Sequence, residues 1–266
     1  MRRAALALAL AGASLGLGAQ SAADEAIPDY KPALAASQAA IGKTLGDYSL
    51  QDRMNRAVRL SDYRGKPLVV SFVYSGCFQV CPTTTQFLAK AVKAARAALG
   101  PDSFNVITIG FNQPFDSPGA MAAFARQNGI AEPRWEFLSP DAATLAGLAR
   151  DLGFTYYATP KGFDHITQLS LVDGEGVIYR QIYGDSYELP MLVDPLKDLI
   201  SGQASRSVNV ESVWTKVKLF CTVYDPASGG YRINYSLFVE IFCGLTVLAA
   251  IAWFLIREWA RRAHPV

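Results

Sequence analysis

A chain of 266 residues is long enough for one core of about 150 residues plus appendages, and length alone does not require a second core. The formal net charge is +2, with no long basic run and no basic stripe interleaved with aromatics, so no nucleic-acid partner is expected. Hydrophobic residues make up 51% of the chain and mean hydropathy is positive, an excess concentrated at the two ends.

Met1, Arg2 and Arg3 precede an apolar run from Ala4 to Ala19 built of Ala, Leu, Gly and Ser. Ser21, Ala22 and Ala23 then stand before the acidic Asp24 and Glu25. A charged start, a short apolar stretch and a small-residue site together describe a cleaved secretory signal over residues 1–23. Residues 24–40 are Ala, Pro and polar residues without periodicity, which predicts a flexible lead-in.

Residues 41–203 carry the pattern of one α/β domain. Leu68 to Tyr74 is a continuous run rich in β-branched and aromatic residues, as expected of a central strand buried on both faces. Thr83 to Leu99 places Phe87, Leu88, Ala91, Val92, Ala95 and Leu99 at helical spacing, with Pro82 at a natural first-turn position. A strand therefore feeds a helix through a turn that carries Cys77 and Cys81. Phe104 to Phe111 reads as a second strand, and Ser117-Pro118 opens a helix that stops at Asn128-Gly129. Asp141 to Leu152 is a further helix ending at Gly153. Ile166 to Val172 and Val177 to Tyr183 flank Asp173-Gly174-Glu175-Gly176, a hairpin signal, and Leu189 to Ile200 closes the domain as an amphipathic helix. The order implies an α/β sheet with helices on both faces.

Residues 204–234 form a juxtamembrane segment in which Val217 to Tyr224 alternates before Asp225-Pro226 and Gly229-Gly230, predicting a small hairpin. A transmembrane helix is expected over 235–256. Leu237 to Ile256 has Glu240 as its only charge, and at about 1.5 Å per residue it reaches the thickness of a bilayer's hydrocarbon core. Tyr235 lies just before this run and Trp253 and Trp259 at or beyond its far end, as in interfacial aromatic belts. Basic residues on the two sides nearly balance, so the export signal decides orientation. The tail 257–266 is expected in the cytoplasm, and the domain on the extracytoplasmic side of a bacterial-type cell membrane.

Four cysteines and two histidines hold the chemistry. Cys243 lies within the apolar span and reads as a small hydrophobe. Cys77 and Cys81 are four apart at a helix N-terminus, where the dipole favours thiolates. A disulfide closing so short a loop would add only about 1 to 2 kcal/mol through chain entropy. A redox dithiol and a metal site are the functional alternatives. The ordinary redox motif is Cys-x-x-Cys, and the extra residue here widens the pair in favour of a bridging ion. His264 falls in the expected cytoplasmic tail, which leaves His165 as the exported imidazole. It sits in Lys161-Gly162-Phe163-Asp164-His165, read as a turn into the following strand at the same sheet edge as the cysteines. Two thiolates and one imidazole, soft and three-coordinate, suit Cu(I) better than zinc. Cys221 reads as a buried small residue or as a third thiolate that receives copper or resolves the pair.

Residues Lys66 to Lys90 with Cys77-Phe78-Gln79-Val80-Cys81-Pro82, the Asp116-Ser117-Pro118 turn and the single His165 resemble the SCO/SenC family of copper chaperones, over about Ile41 to Gly202. The resemblance implies a thioredoxin-like fold, Cys77, Cys81 and His165 as copper ligands, and a role in assembling the copper A centre of cytochrome c oxidase. The partner would be the oxidase subunit that carries that centre. It also implies, for some members, reduction of the target cysteines before copper arrives. Phe78-Gln79 stands where the family commonly has Pro-Asp, Asn112-Gln113 where it has Asp-Pro, and the anchor is C-terminal where many members use an N-terminal one. A thiol-disulfide oxidoreductase, with Cys77 attacking and Cys81 resolving, is the enzymatic alternative. A thiol peroxidase of the same architecture is the third.

Overall fold

Every residue of Leu68–Val73 is buried, which only a central strand with layers on both faces allows. This strand, β3, lies within a computed structural model that describes residues 30–78, 80–160, 162–204, 222–225, 230–233 and 236–263. The expected signal segment, Cys221 and His264 lie outside these residues.

The first element among the described residues is helix α1 (Lys31–Gln38), followed by the short strands β1 (Ser49–Gln51) and β2 (Ala57–Arg59), which pair antiparallel. After β3 come helix α2 (Val80–Leu99), strand β4 (Asn105–Gly110), helix α3 (Pro118–Gln127), strand β5 (Trp135–Leu138) and helix α4 (Ala142–Leu152). A hairpin of β6 (Tyr156–Thr159) and β7 (Gly162–His165) precedes β8 (Gln168–Val172), β9 (Ile178–Tyr183) and helix α5 (Leu189–Ala204). The main sheet has the order β5-β4-β3-β8-β9. Strands β3, β4 and β5 are parallel, and β8 and β9 run antiparallel to their neighbours.

Period-two alternation sends the two sides of β3 to different cores. Val69 and Val73 pack with Val106 against Leu88 and Val92 of α2 and Leu192, Val193 and Leu196 of α5. Val70 and Phe72 pack with Ile107 and Ile109 against Leu145, Leu148 and Leu152 of α4. This is the thioredoxin-like arrangement expected of the chain. Asp141 caps α4 by accepting from the Thr144 N–H, and Gly153 ends that helix in the left-handed conformation.

Two expectations are corrected. The flexible lead-in over 24–40 does not hold across 31–38, which form α1 and dock through Ala33, Ser37 and the following Ala40. The Tyr183 hydroxyl donates to the Ser37 hydroxyl at 2.9 Å and accepts from Gln38 Nε2 at 2.7 Å. Nor do residues 162–165 form a simple turn into the next strand: they are β7, and its last residue, His165, pairs with Tyr156 of β6.

Beyond the domain, β10 (Thr222–Asp225) pairs antiparallel with β11 (Gly230–Ile233), at the predicted hairpin. Helix α6 (Ser236–Ala263) follows, and Val239–Arg257 within it is long and apolar enough to cross a membrane. Its side chains over that stretch are exposed, as those of a lipid-facing helix are.

Candidate metal centre

The turn from β3 into α2 is fixed from beneath by a buried carboxylate. One oxygen of Asp116 accepts from the Ser75 N–H at 2.8 Å and the Ser75 hydroxyl at 2.6 Å, and the other from the Asn112 N–H at 2.7 Å. Burial pushes this carboxyl above its ordinary range against the pull of those donors. Gly110 makes the approach possible, because a Cβ there would stand 2.5 Å from that of Asp116. Ser75, two residues before Cys77, is therefore held to the loop after β4.

Cys77 and Cys81 are not joined in a disulfide. The Cys81 N–H, one of the unpaired donors of the first turn of α2, points at the Cys77 sulfur at 3.3 Å. Cys77 is half-buried, whereas Cys81 is only 3% exposed and packs into the core beneath α2. Burial pushes the Cys81 thiol up to about 12. The helix terminus does not, as expected from sequence, favour both thiolates: at Cys81 desolvation outweighs it.

Pairing of β3 with β8 sets Ser71 opposite Leu169, so β8 begins where β3 ends. His165, three residues before β8, thereby arrives at the sheet edge that carries the cysteines. Its ring stands edge-on to Phe111 and Phe154, with centroids 5.3 and 5.4 Å away. Its Nδ1 lies 3.2 Å from the Ile166 carbonyl. A carbonyl can only accept, so the proton sits on Nδ1 and the lone pair of Nε2 is left for a ligand. Burial holds the imidazole below its ordinary range, which keeps it neutral and able to coordinate.

All three residues line one cleft of about 670 Å³, together with Tyr74, Phe163, Leu34 of α1 and Tyr30 at its N-cap. Among the described residues no three His, Cys, Asp or Glu side chains stand together at metal-holding spacing. Sequence reasoning missed Tyr74, which ends an apolar run and reads as one more strand hydrophobe. It missed the α1 wall as well, because α1 is anchored by small side chains. Cys243 lies exposed on α6, in the stretch long and apolar enough to cross a membrane, and does not line the cleft.

A family model described as SCO1/SenC matches residues 36–201, more than half of the chain. The mitochondrial SCO2 homolog of Bos taurus is 26% identical over 205 residues, covering 74% of this chain and 75% of that protein. Its human counterpart is 26% identical over 194 residues, covering 71% and 70%. Among solved structures, a protein of Aquifex aeolicus VF5 superposes with a TM-score of 0.56 at 27% identity, covering 61% of this chain and 95% of that one. Bradyrhizobium japonicum ScoI, solved with copper bound, gives a TM-score of 0.51 at 24% identity, covering 59% and 99%. With its two cysteines and one histidine opening on one cleft of a thioredoxin-like sheet, the chain belongs to the SCO1/SenC family.

Proposed function

We propose that the chain is a membrane-tethered metallochaperone that holds one Cu(I) between Cys77, Cys81 and His165 and delivers it to the copper A centre of cytochrome c oxidase. The observation that carries this reading is a soft, incomplete donor set, two thiols not joined in a disulfide and a neutral imidazole with its Nε2 lone pair available, opening on one cleft. Family membership and a neighbour described as belonging to "the Sco family of cytochrome c oxidase assembly proteins" support the role in oxidase assembly, and the ScoI structures solved with copper bound support the choice of metal.

Copper is cargo, and the protein supplies its ligands. The Cys81 thiol gives up its proton on binding, Cys77 contributes the more accessible sulfur, and Nε2 of His165 closes from the hairpin side. Transfer proceeds by ligand exchange: an incoming thiolate forms a bond to Cu(I) as a bond to a chaperone ligand breaks, with no change of oxidation state. The apolar helix Val239–Arg257 would hold the domain at the surface of the membrane that carries the recipient, on the extracytoplasmic side.

Anaerobic Cu(I) titration of the full chain in detergent tests this reading, with metal content measured for the parent and for Cys77→Ala, Cys81→Ala and His165→Ala. One copper per parent chain and sharply weaker binding in each variant are expected. A stoichiometry near zero ends the proposal. A chain that binds no copper but exchanges disulfides through Cys77 and Cys81, with or without His165, is the oxidoreductase instead.

A further inference from the structure

Tyr74 touches both halves of the cleft. Its backbone carbonyl accepts from the Cys77 N–H at 3.1 Å, and its backbone N–H is directed at the Cys81 sulfur. The ring stands edge-on between Phe111 and Phe163, with centroids at 5.5 and 5.2 Å. From there the hydroxyl reaches the Cys77 side chain on one side and the Phe163 backbone N–H of β7 on the other. The oxygen has little room to move. A Cβ at Gly162, the first residue of β7, would lie 2.5 Å from it, and Gly162 has a φ of +127°, which L side chains rarely adopt. The hairpin that carries His165 and the turn that carries Cys77 thus meet at one phenolic oxygen.

We propose that Tyr74 is a positioning residue of this site: its hydroxyl accepts from the hairpin bearing His165 and donates to the Cys77 sulfur, fixing their separation and drawing electron density from that sulfur. The inference rests on the copper reading above. A phenol O–H donated to a metal-bound thiolate leaves the sulfur–metal bond in place and lowers the energy of the remaining sulfur lone pair. An apolar ring at the same position packs as well but does neither. Tyr74 is not a ligand in this scheme, and it transfers no proton.

Tyr74→Phe keeps the ring and its neighbours and removes only the oxygen. In the full chain in detergent, this variant is expected to bind Cu(I) about 10-fold more weakly in competition with a soluble Cu(I) chelator. Loaded with Cu(II), it is expected to show its sulfur-to-copper charge-transfer band at lower energy than the parent. Band position is a property of the loaded, folded site and does not follow stability, so a purely structural role would not move it. Gly162→Ala, which keeps the hydroxyl but pushes it aside, should shift the band in the same direction. If Tyr74→Phe has the parent's affinity and band while Cys77→Ala loses copper, the positioning role is wrong and the copper reading stands. If Cys77→Ala itself retains the parent's copper, the copper reading fails and the inference falls with it.

Discussion

The backbone N–H of Cys81 lies 3.3 Å from the sulfur of Cys77, yet the two residues differ in exposure, Cys77 being half-buried and Cys81 only 3% exposed. Thiol alkylation requires access and a thiolate, and Cys81 has neither near neutral pH. Brief treatment of the native, metal-free chain with iodoacetamide at pH 8 should label Cys77 and leave Cys81 unmodified. Both should label in denaturant. Peptide mapping by mass spectrometry reads the two sites separately, and equal labelling of the native pair would contradict the burial described.

The same buried thiol ties copper binding to pH. Held up to about 12 by burial, Cys81 is protonated throughout the neutral range, and coordination must displace that proton. Raising pH therefore favours the bound state: each unit below 12 should strengthen apparent Cu(I) affinity about tenfold for this one proton. Competition titrations between pH 6 and 8 should give a slope of at least one, and Cys81→Ala should lose that proton's share of the slope. A flat profile in the parent would mean that Cys81 does not bind as a thiolate.

Phe154 supports the histidine. It is 4% exposed, stacks on Phe72 with centroids 4.1 Å apart, and forms an edge contact with His165. Truncation to Ala should cost about 3 to 5 kcal/mol through lost burial and the cavity left behind. For a domain of this size that corresponds to a fall in Tm of roughly 10 °C. Phe154→Leu should lose far less. Thermal unfolding followed by circular dichroism distinguishes the two, and equal melting of parent and Phe154→Ala would deny the contact any structural weight.

What was legible in the sequence followed from how strongly each segment signals on its own. Leu68 to Val73 and Asn105 to Gly110 are buried on both faces and read as central strands, because continuous β-branched runs have few other uses. The cysteine pair and His165 stood out through scarcity and spacing. The β6–β7 hairpin did not, since Tyr156–Thr159 and Gly162–His165 are short, Tyr157 and Ala158 are exposed, and the two strands pack on Tyr74 and Phe111 from distant parts of the chain. Tyr74 itself carried no signal, because its role lies in one hydroxyl meeting a backbone far away in the chain. The burial of Cys81 was hidden for a related reason: a helix terminus is visible in sequence, and the core closing over a sulfur is not.

The apolar stretch of α6 should not tolerate charge at its middle. Leu248 is exposed within the segment long enough to cross a bilayer, so a charge at this position would face lipid. Leu248→Arg should cost about 2.5 to 3.5 kcal/mol on the insertion scale for a central arginine. Fractionation should move a large share of the variant chain out of the carbonate-resistant membrane pellet, while Leu248→Ile should stay in it. Full retention of the arginine variant would argue that the helix is covered by protein rather than lipid.

Docking of α1 depends on Gly153. This residue caps α4 with φ +63°, and a Cβ there would lie 2.4 Å from the Ala36 carbonyl oxygen and 2.6 Å from the Ser37 Cα. Two costs would follow from a side chain, one for the left-handed backbone and one for the collision with α1. They can be separated, because Asn tolerates the left-handed region better than Ala while carrying the same Cβ. Both contacts are to backbone, which cannot rotate away, so the collision should dominate. Gly153→Ala and Gly153→Asn should therefore release α1 to a similar extent, seen as lost hydrogen-exchange protection over residues 31–38 and a destabilisation of about 2 kcal/mol or more. Since Tyr30 and Leu34 wall the cleft, the same variants should also widen access to Cys77 and quicken its alkylation. Native-like protection in Gly153→Asn alone would show that backbone conformation, and not the approach of α1, is what the glycine serves.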